Sequence, residues 1–493
     1  MRLLPPSSRR PLQAQARRSA LALALTLATL SGTAAAQAID SLTQEALAER
    51  LRIVEQRLGI APGEAATPGL VELDRRLRAV ELGLDERDRQ APAAGSAAPP
   101  EPKAAPVITL AADKGASIRS ADGGIQLKLG ALVQADHRNF IDDGERSQND
   151  SFLWRRIRPT LEGNWGELVA FRLTPEFAGD SASIVDAYID LRFHPAATVR
   201  VGKVKGPVGL ERLQSGGAIA LVERGFPTEL APNRDLGVQL QGALAGSKLG
   251  YVLGIYNGAP DGRDSPTGNP DNDFEFAGRV FVEPWKGGDG VLSGLGFGIA
   301  GSAGDKHGAG NSFLPRYRTP GQVVFFNHRA AVAAEGRHIR WSPQAYWYAG
   351  PFGLLGEYIR SKQDVVDGSS GTRASLDHRA WQLVGSWVLT GEAASYRGVT
   401  PNQSFTIGGA GWGAFEVVAR YGRLDVDDDA FPVFADPTAS ASAASAWSLG
   451  MNWYLSRNLK LVANYTRAAF DGGAPADDRE DEKTFFTRAQ FSF

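Results

Sequence analysis

Arg156 and Arg158 stand two residues apart in the stretch FLWRRIRPTLEGNWG, beside the neutral Thr160. In an extended chain such residues share one face. A guanidinium keeps its charge at any physiological pH and donates two parallel hydrogen bonds to two oxygens of one oxyanion, so arginines on one face are the chemistry of an anion path. Arg172, Arg200, Lys203 and Lys205 are further candidates for that path. Each basic residue also has a plainer reading, in which a carboxylate on the next strand pairs with it and the pair serves the wall. For Arg279, Arg340 and Arg420 the plainer reading is preferred; for Arg156 and Arg158 both stay open.

No catalytic or cofactor set is legible. Six histidines are scattered without ligand spacing, and the chain has no cysteine, which excludes disulfides, thiolate metal sites and cysteine nucleophiles. The glycines of Gly408-Gly409-Ala410-Gly411 lack the strand-to-helix setting of a nucleotide loop. Asp425, Asp427, Asp428 and Asp429 read as a solvated acidic loop, with divalent cations or lipopolysaccharide at the outer surface as a further possibility. The expectation is therefore no cofactor, no metal and no enzyme.

The elements that position these charges follow a period of two. Phe485, Thr487, Ala489, Phe491 and Phe493 oppose Thr484, Arg488, Gln490 and Ser492. Ile157, Pro159, Leu161, Gly163 and Trp165 oppose Arg156, Arg158, Thr160, Glu162 and Asn164. Segment after segment has one apolar face and one charged face, the pattern of a barrel that is apolar outside and wet inside. A soluble sandwich would instead pack its apolar faces together. Mean hydropathy is only -0.22, and no apolar run after the N-terminus reaches the ~18 residues that a spanning helix needs.

Sixteen segments are predicted, at about 125–139, 151–165, 167–177, 183–193, 197–204, 234–245, 247–257, 273–284, 291–302, 337–348, 351–361, 378–390, 413–424, 445–455, 458–468 and 483–493. Tight joins such as Gly166 alternate with long polar ones at 258–272, 303–330, 362–377 and 425–444, as periplasmic turns alternate with external loops. Trp341 and Trp347, Trp381 and Trp387, and Trp447 and Trp453 are same-face pairs six residues apart. On tilted strands each pair spans roughly 14 Å of depth, which suits the two edges of an apolar band.

The N-terminal fifth reads differently. Arg9, Arg10, Arg17 and Arg18 precede an apolar stretch and Ala34-Ala35-Ala36, which predicts a signal peptide over 1–38. Residues 39–90 carry leucine and valine at coiled-coil spacing, and the proline-rich 91–106 is a linker to a barrel over 107–493. Removing the five arginines of 1–38 takes the formal charge from -2 to about -7, so bulk charge predicts no affinity for nucleic acid or anions. On strand parity the lumen also receives Arg192, Arg279, Arg340, Arg420, Arg488 and Lys460. It receives Glu162, Glu176, Asp186, Asp190, Glu275, Glu283, Glu357 and Glu416 as well, a nearly even balance.

Over residues 120–493 the chain resembles the phosphate-selective porin O and P family. The resemblance rests on FLWRRIRPTLEGNWG at 152–166, DAYIDLRF at 186–193, VGKVKGPVGLERL at 201–213, ALVERGFPTELAPNRDLGVQLQG at 220–242, MNWYLSRNLKLVANYTR at 451–467 and the terminal TRAQFSF. It implies a homotrimer of sixteen-stranded antiparallel barrels in the outer membrane of a Gram-negative bacterium, in contact with lipid and lipopolysaccharide, with the N-terminal segment periplasmic. One loop, roughly 204–233, would fold inward, and Arg156, Arg158, Lys203 and Lys205 would contribute to passage of phosphate, polyphosphate or other small anions. A general porin of the same architecture is the alternative. A barrel lipase or protease would need a Ser/His or Asp/His set at a rim, and an energised transporter a plug domain and about 22 strands.

Overall fold

The computed structural model describes residues 105–111, 115–141, 148–475 and 477–493. The signal, coiled-coil and linker expectations for 1–38, 39–90 and 91–104 lie outside these residues. A short hairpin comes first, β1 (Val107–Ala111) and β2 (Gly115–Arg119). Five strands follow: β3 (Ile125–Ile141), β4 (Ser151–Trp165), β5 (Val169–Glu176), β6 (Ser183–His194) and β7 (Ala197–Lys205). After a long connection come β8 (Arg234–Leu244), β9 (Leu249–Tyr256), β10 (Glu275–Val282) and β11 (Leu295–Ala309). A loop hairpin, β12 (Arg316–Arg318) and β13 (Val324–Asn327), leads to β14 (Val332–Ala349), β15 (Phe352–Asp367) and β16 (Arg373–Val388). The last strands are β17 (Ala414–Asp425), β18 (Ala441–Tyr454), β19 (Leu459–Gly472) and β20 (Glu482–Ser492).

Apart from the two hairpins, sixteen strands pair antiparallel with their sequence neighbours, and β20 returns to β3 from Lys483↔Ile141 to Ser492↔Leu132. Closure leaves each of these strands with a neighbour on both sides, as a sheet in lipid requires. Phe493 completes the seam, since Ala131 and Phe493 each donate a backbone N–H to the other's carbonyl at 3.1 Å. Below it β2 takes over the free edge of β3 at residues 126–129, with Gly115 against the Phe493 ring, where a Cβ would lie 2.6 Å from the ring.

All sixteen predicted segments are strands, with the shifts concentrated on one side. The predicted external loop at 362–377 is instead strand, broken only by the turn 368–372, because Val332–Ala349, Phe352–Asp367 and Arg373–Val388 all extend above the membrane band. The tryptophans line up in two outward rows. Trp341 packs on Tyr358, Trp381 on Tyr421 and Trp447 on Tyr465 in the upper row. Below, Phe352 stacks on Trp387 and Phe415 on Trp453, and Trp347 donates its indole N–H to the Val291 carbonyl at 2.6 Å.

The interior is wet only in part. On the β14–β19 side of the extracellular half, the wall residues Ile359, Leu376, Leu424 and Phe470 pack against Phe226, Leu230, Leu314, Tyr317, Phe325, Phe326 and Phe434 from the inward-turned loops. The expectation of a charged inner face throughout is corrected there. Inward positions near the top of those strands are small or apolar because they support folded loops, not water.

Candidate functional site: a basic vestibule beneath an inward loop

The connection 206–233 leaves β7 and crosses the lumen, matching the inward loop expected at roughly 204–233. Its two helical turns, Leu210–Leu213 and Pro227–Leu230, are almost wholly buried. Being too short to satisfy its own backbone, the loop borrows partners from the far wall. Glu357 accepts from the N–H groups of Leu210 at 2.5 Å and Glu211 at 3.2 Å. Gln134 donates to the Gly216 carbonyl at 3.0 Å, Gln490 to Gly217 at 2.9 Å and Lys460 to Ile219 at 2.9 Å. Asn452 donates to Ala220 at 2.9 Å, Asn464 accepts from the Val222 N–H at 2.9 Å, and Arg420 donates to the Glu223 carbonyl at 2.9 Å.

Glu223 is the loop's electrostatic anchor. Its carboxylate meets Arg155 at 2.5 and 3.0 Å, Arg138 at 2.8 Å and Arg488 at 3.9 Å. Burial by itself raises such a carboxyl, but the guanidiniums, Arg155 foremost, more than offset it and hold Glu223 well below the ordinary range. Strict alternation would point Arg155 at lipid. A bulge between the pairs Gln134↔Arg156 and Ala135↔Trp154 leaves Arg155 unpaired in the ladder and turns it inward beside Arg156. The consecutive arginines of WRRIR were the only sequence signal for this.

Beneath the loop lies a cavity of about 1450 Å³, bounded by Ser215, Gly216 and Gly217 above and by Ser456, Asn458 and Phe493 at the periplasmic end. A long periplasmic connection, 389–413, enters it. Tyr396 stacks on Tyr346 and donates its hydroxyl to the Leu210 carbonyl at 2.5 Å, while Gln214 donates to the Tyr396 carbonyl at 2.7 Å.

Among the described residues, eleven basic side chains line this vestibule: Lys128, Arg158, Arg172, Arg200, Lys205, Arg234, Arg279, Lys286, Arg397, Arg457 and Lys460. Only three acidic ones do, Glu162, Asp186 and Glu283, along with the C-terminal Phe493. The near-even balance expected from parity is resolved by position. Glu357 and Glu416 are consumed as acceptors, Glu416 by Asn452 and Tyr454, both in the wall, at 2.9 and 2.8 Å. Glu275 and Asp261 hold the fully buried Arg340 at 2.6 Å each, pinning the loop 257–274.

The six candidate residues separate. Arg158, Arg172, Arg200 and Lys205 line the vestibule. Arg158 pairs with Glu176 at 2.6 Å, Arg172 with Glu162 at 3.0 Å, and Arg200 with Asp190 at 2.6 Å while lying over the Tyr188 ring. Lys205 meets no carboxylate; its amine donates to the carbonyls of Leu213 at 3.2 Å and Gln214 at 2.8 Å. Arg156 is 2% exposed, bonded to Gln134 at 2.5 Å and flat against Gly216, so it lies under the loop and not on the cavity. Lys203 pairs in register with the outward Leu236 and reaches Asp264 at 3.4 Å in an external loop. Arg279, read as a wall residue, lines the cavity over Phe281; Arg340 and Arg420 are structural anchors. A second, external cavity of about 460 Å³ is lined by Arg263, Arg316 and Arg318 with Asn233 and Asp264.

A narrowed barrel with a fixed charge lining has the form of a diffusion channel. The model of the family "Phosphate-selective porin O and P" matches residues 126–493. The chain belongs to that family. It is 25% identical over 429 residues to Porin O of Pseudomonas aeruginosa, covering 78% of this chain and 92% of that protein. It is 24% identical over 367 residues to an uncharacterized protein of Caulobacter vibrioides, covering 72% and 69%. Among solved structures, it is similar to the outer membrane channel DcaP of Acinetobacter baumannii at 12% identity and a TM-score of 0.48, covering 75% of this chain and 98% of that one. It is likewise similar to an anion-selective porin from Comamonas acidovorans at 14% identity and a TM-score of 0.48, covering 75% and 100%. By its family this is an outer-membrane porin.

Proposed function

We propose that the chain is a passive, anion-preferring pore for inorganic phosphate, polyphosphate or similar small anions, working as a homotrimer in contact with outer-membrane lipid and lipopolysaccharide, its N-terminal segment periplasmic. The observation that carries this reading is the vestibule lining of eleven basic against three acidic side chains. Fixed positive charge raises the local concentration of anions and lowers that of cations, most strongly where the walls narrow. Lys205 and Arg279 supply positive charge without a carboxylate partner at the level of the inward loop. No proton or cofactor chemistry is needed, since passage requires only that binding be weak enough for release.

A second reading, a general porin of the same architecture, is favoured by the ion pairs of Arg158, Arg172, Arg200 and Arg234, whose charges are offset locally. Single-channel recording in a chloride gradient separates the two. Anion-favouring reversal potentials and block by millimolar phosphate are expected on the first reading. Cation-favouring potentials, or no block, return the protein to the second.

A further inference from the structure

The stretch Gly408-Gly409-Ala410-Gly411 belongs to the periplasmic connection 389–413 but does not line the vestibule. The connection divides in two. Its first part turns into the lumen: Ala394 donates its N–H to the Gly350 carbonyl at 2.8 Å, and Val399 is buried with Val388, Ala414 and Tyr454. Tyr396 then braces the inward loop through the Leu210 carbonyl. The second part, 403–412, runs back along the outside of the wall. There Phe405 donates its N–H to the Leu455 carbonyl at 2.6 Å and sets its ring edge-on to Trp453 at 5.3 Å. Trp453 in turn donates its indole N–H to the Trp412 carbonyl at 2.8 Å.

This outer part is shaped to present apolar side chains. Thr406 donates its N–H to the Gly411 carbonyl at 3.1 Å and closes a tight loop. Gly408 at its tip has a φ of +73°, and a Cβ on Gly411 would lie 2.1 Å from the Ser404 carbonyl oxygen. The large side chains that follow Phe405 are Ile407, 95% exposed, and Trp412, 66% exposed. No charged residue lies between Arg397 and Glu416. A loop surrounded by water is ordinarily polar, whereas this one leaves apolar surface that the described residues do not cover. Position identifies what covers it. Trp453 stands in the lower outward row, which marks the membrane–water interface on the periplasmic side, and Phe405 continues that row by ring contact. Trp347 of the same row tacks down a second periplasmic connection through the Val291 carbonyl, and there Val291 and Leu292 are exposed.

We propose that Phe405, Ile407 and Trp412 form a foot seated in the periplasmic leaflet of the membrane, anchoring the connection that holds Tyr396 and Arg397 at the vestibule. Irregular backbone does not enter hydrocarbon, so the foot sits at the headgroup boundary, where an indole is at home and an isoleucine reaches the first acyl carbons. The absence of charge from the loop spares it the cost of bringing an ion to that depth. Because the connection is tied to Trp453 outside and to Leu210 inside, seating the foot also steadies the vestibule lining. The proposal needs only the outer-membrane placement and is independent of which ions pass.

The chain has no cysteine, so one introduced cysteine carries one label. Full-length protein with Ala410→Cys, labelled with an environment-sensitive fluorophore, is reconstituted into phosphatidylcholine vesicles carrying a nitroxide at the headgroup, at a shallow acyl carbon or at a deep one. Blue-shifted emission, quenched most by the shallow nitroxide, is expected at 410. The control label at Ser369→Cys, in the exposed turn 368–372 above the membrane band, should stay water-like and unquenched. Water-like emission at 410 overturns the proposal. Blue-shifted emission that no nitroxide quenches also overturns it, since a second copy or another protein would then be the cover. Adding Ile407→Asn and Trp412→Ser should abolish the quenching and make the open-channel current flicker, with the anion-to-cation ratio unchanged. Retained quenching, or a channel as quiet as the parent, overturns the anchoring. If that variant assembles poorly, the label on the otherwise unmodified chain still decides the matter. The ion-preference recordings proposed above are a separate measurement, so failure here leaves that reading standing.

Discussion

Lys205 is the position at which one substitution should change ion preference most cleanly. Its amine borders the vestibule at the inward loop, bonded to two carbonyls and to no carboxylate. A unit charge ~5 Å from a passing ion is worth ~0.8 kcal/mol in water. Screening with a Debye length of ~8 Å reduces this to ~0.4 kcal/mol. Lys205→Met therefore costs an anion ~0.4 kcal/mol and relieves a cation by as much, so the anion-to-cation permeability ratio should fall by ~4-fold. Lys205→Arg, which keeps the charge, should preserve the ratio and controls for loop loosening. The matching control for pairs is Glu162→Gln with Arg172→Gln, which removes a salt bridge at 3.0 Å with no change in net charge and should leave the ratio within a factor of about 1.5. Reversal potentials of reconstituted channels in a tenfold potassium chloride gradient give the ratios. The reasoning fails if Lys205→Met leaves the ratio unchanged, or if the neutral pair removal shifts it as far.

Other expectations concern the loop and the seam. Glu223→Gln leaves Arg155 without its carboxylate while Asp136 alone serves Arg138 and Arg488, and should cost ~3–5 kcal/mol, seen as a lower temperature for loss of the compact band on semi-native gels. Because the folded carboxyl is depressed, its contribution is present above the unfolded value of ~4.3 and lost only as pH falls through the lower folded value. Open-channel noise should therefore stay constant from pH 7 to about 4; noise rising between pH 6 and 5 would contradict the clamp. Gly202→Ala places a Cβ 2.2 Å from the Ala187 carbonyl at a φ of +132°, so assembly yield should drop sharply, whereas Gly385→Ala, with open space around it and no positive φ, should be mild. Deleting Phe493 removes both hydrogen bonds to Ala131 at the seam and should lower folded yield in lipid vesicles; unchanged yield would show that closure needs no terminal residue.

Much of the architecture was legible because lipid leaves the backbone few options. A strand with one face in hydrocarbon must alternate, and so residues 151–165 and 483–493 announced themselves, as did the outward tryptophans of β14, β16 and β18. The inner face was less legible. Arg158 and Arg172 are inward by parity, yet parity gave Arg340 and Glu357 the same status, although these two hold loops and never reach open water. Arg155 was hidden because one bulge residue reverses a side chain's direction, and the apolar core around Phe326 was hidden because loop residues carry no periodicity.

The sequence by itself thus determined the barrel, its strand number and its family, all of which follow from local alternation and contiguous motifs. The distribution of charge between open vestibule and buried clamp was decided only by tertiary structure. A single loop, held by Gln134, Asn452, Asn464 and Gln490 from strands up to hundreds of residues away, takes Arg156 and Glu223 out of the path and leaves Lys205 and Arg279 in it. Those partners are set by closure of the barrel, a condition on the whole chain that no window of sequence contains.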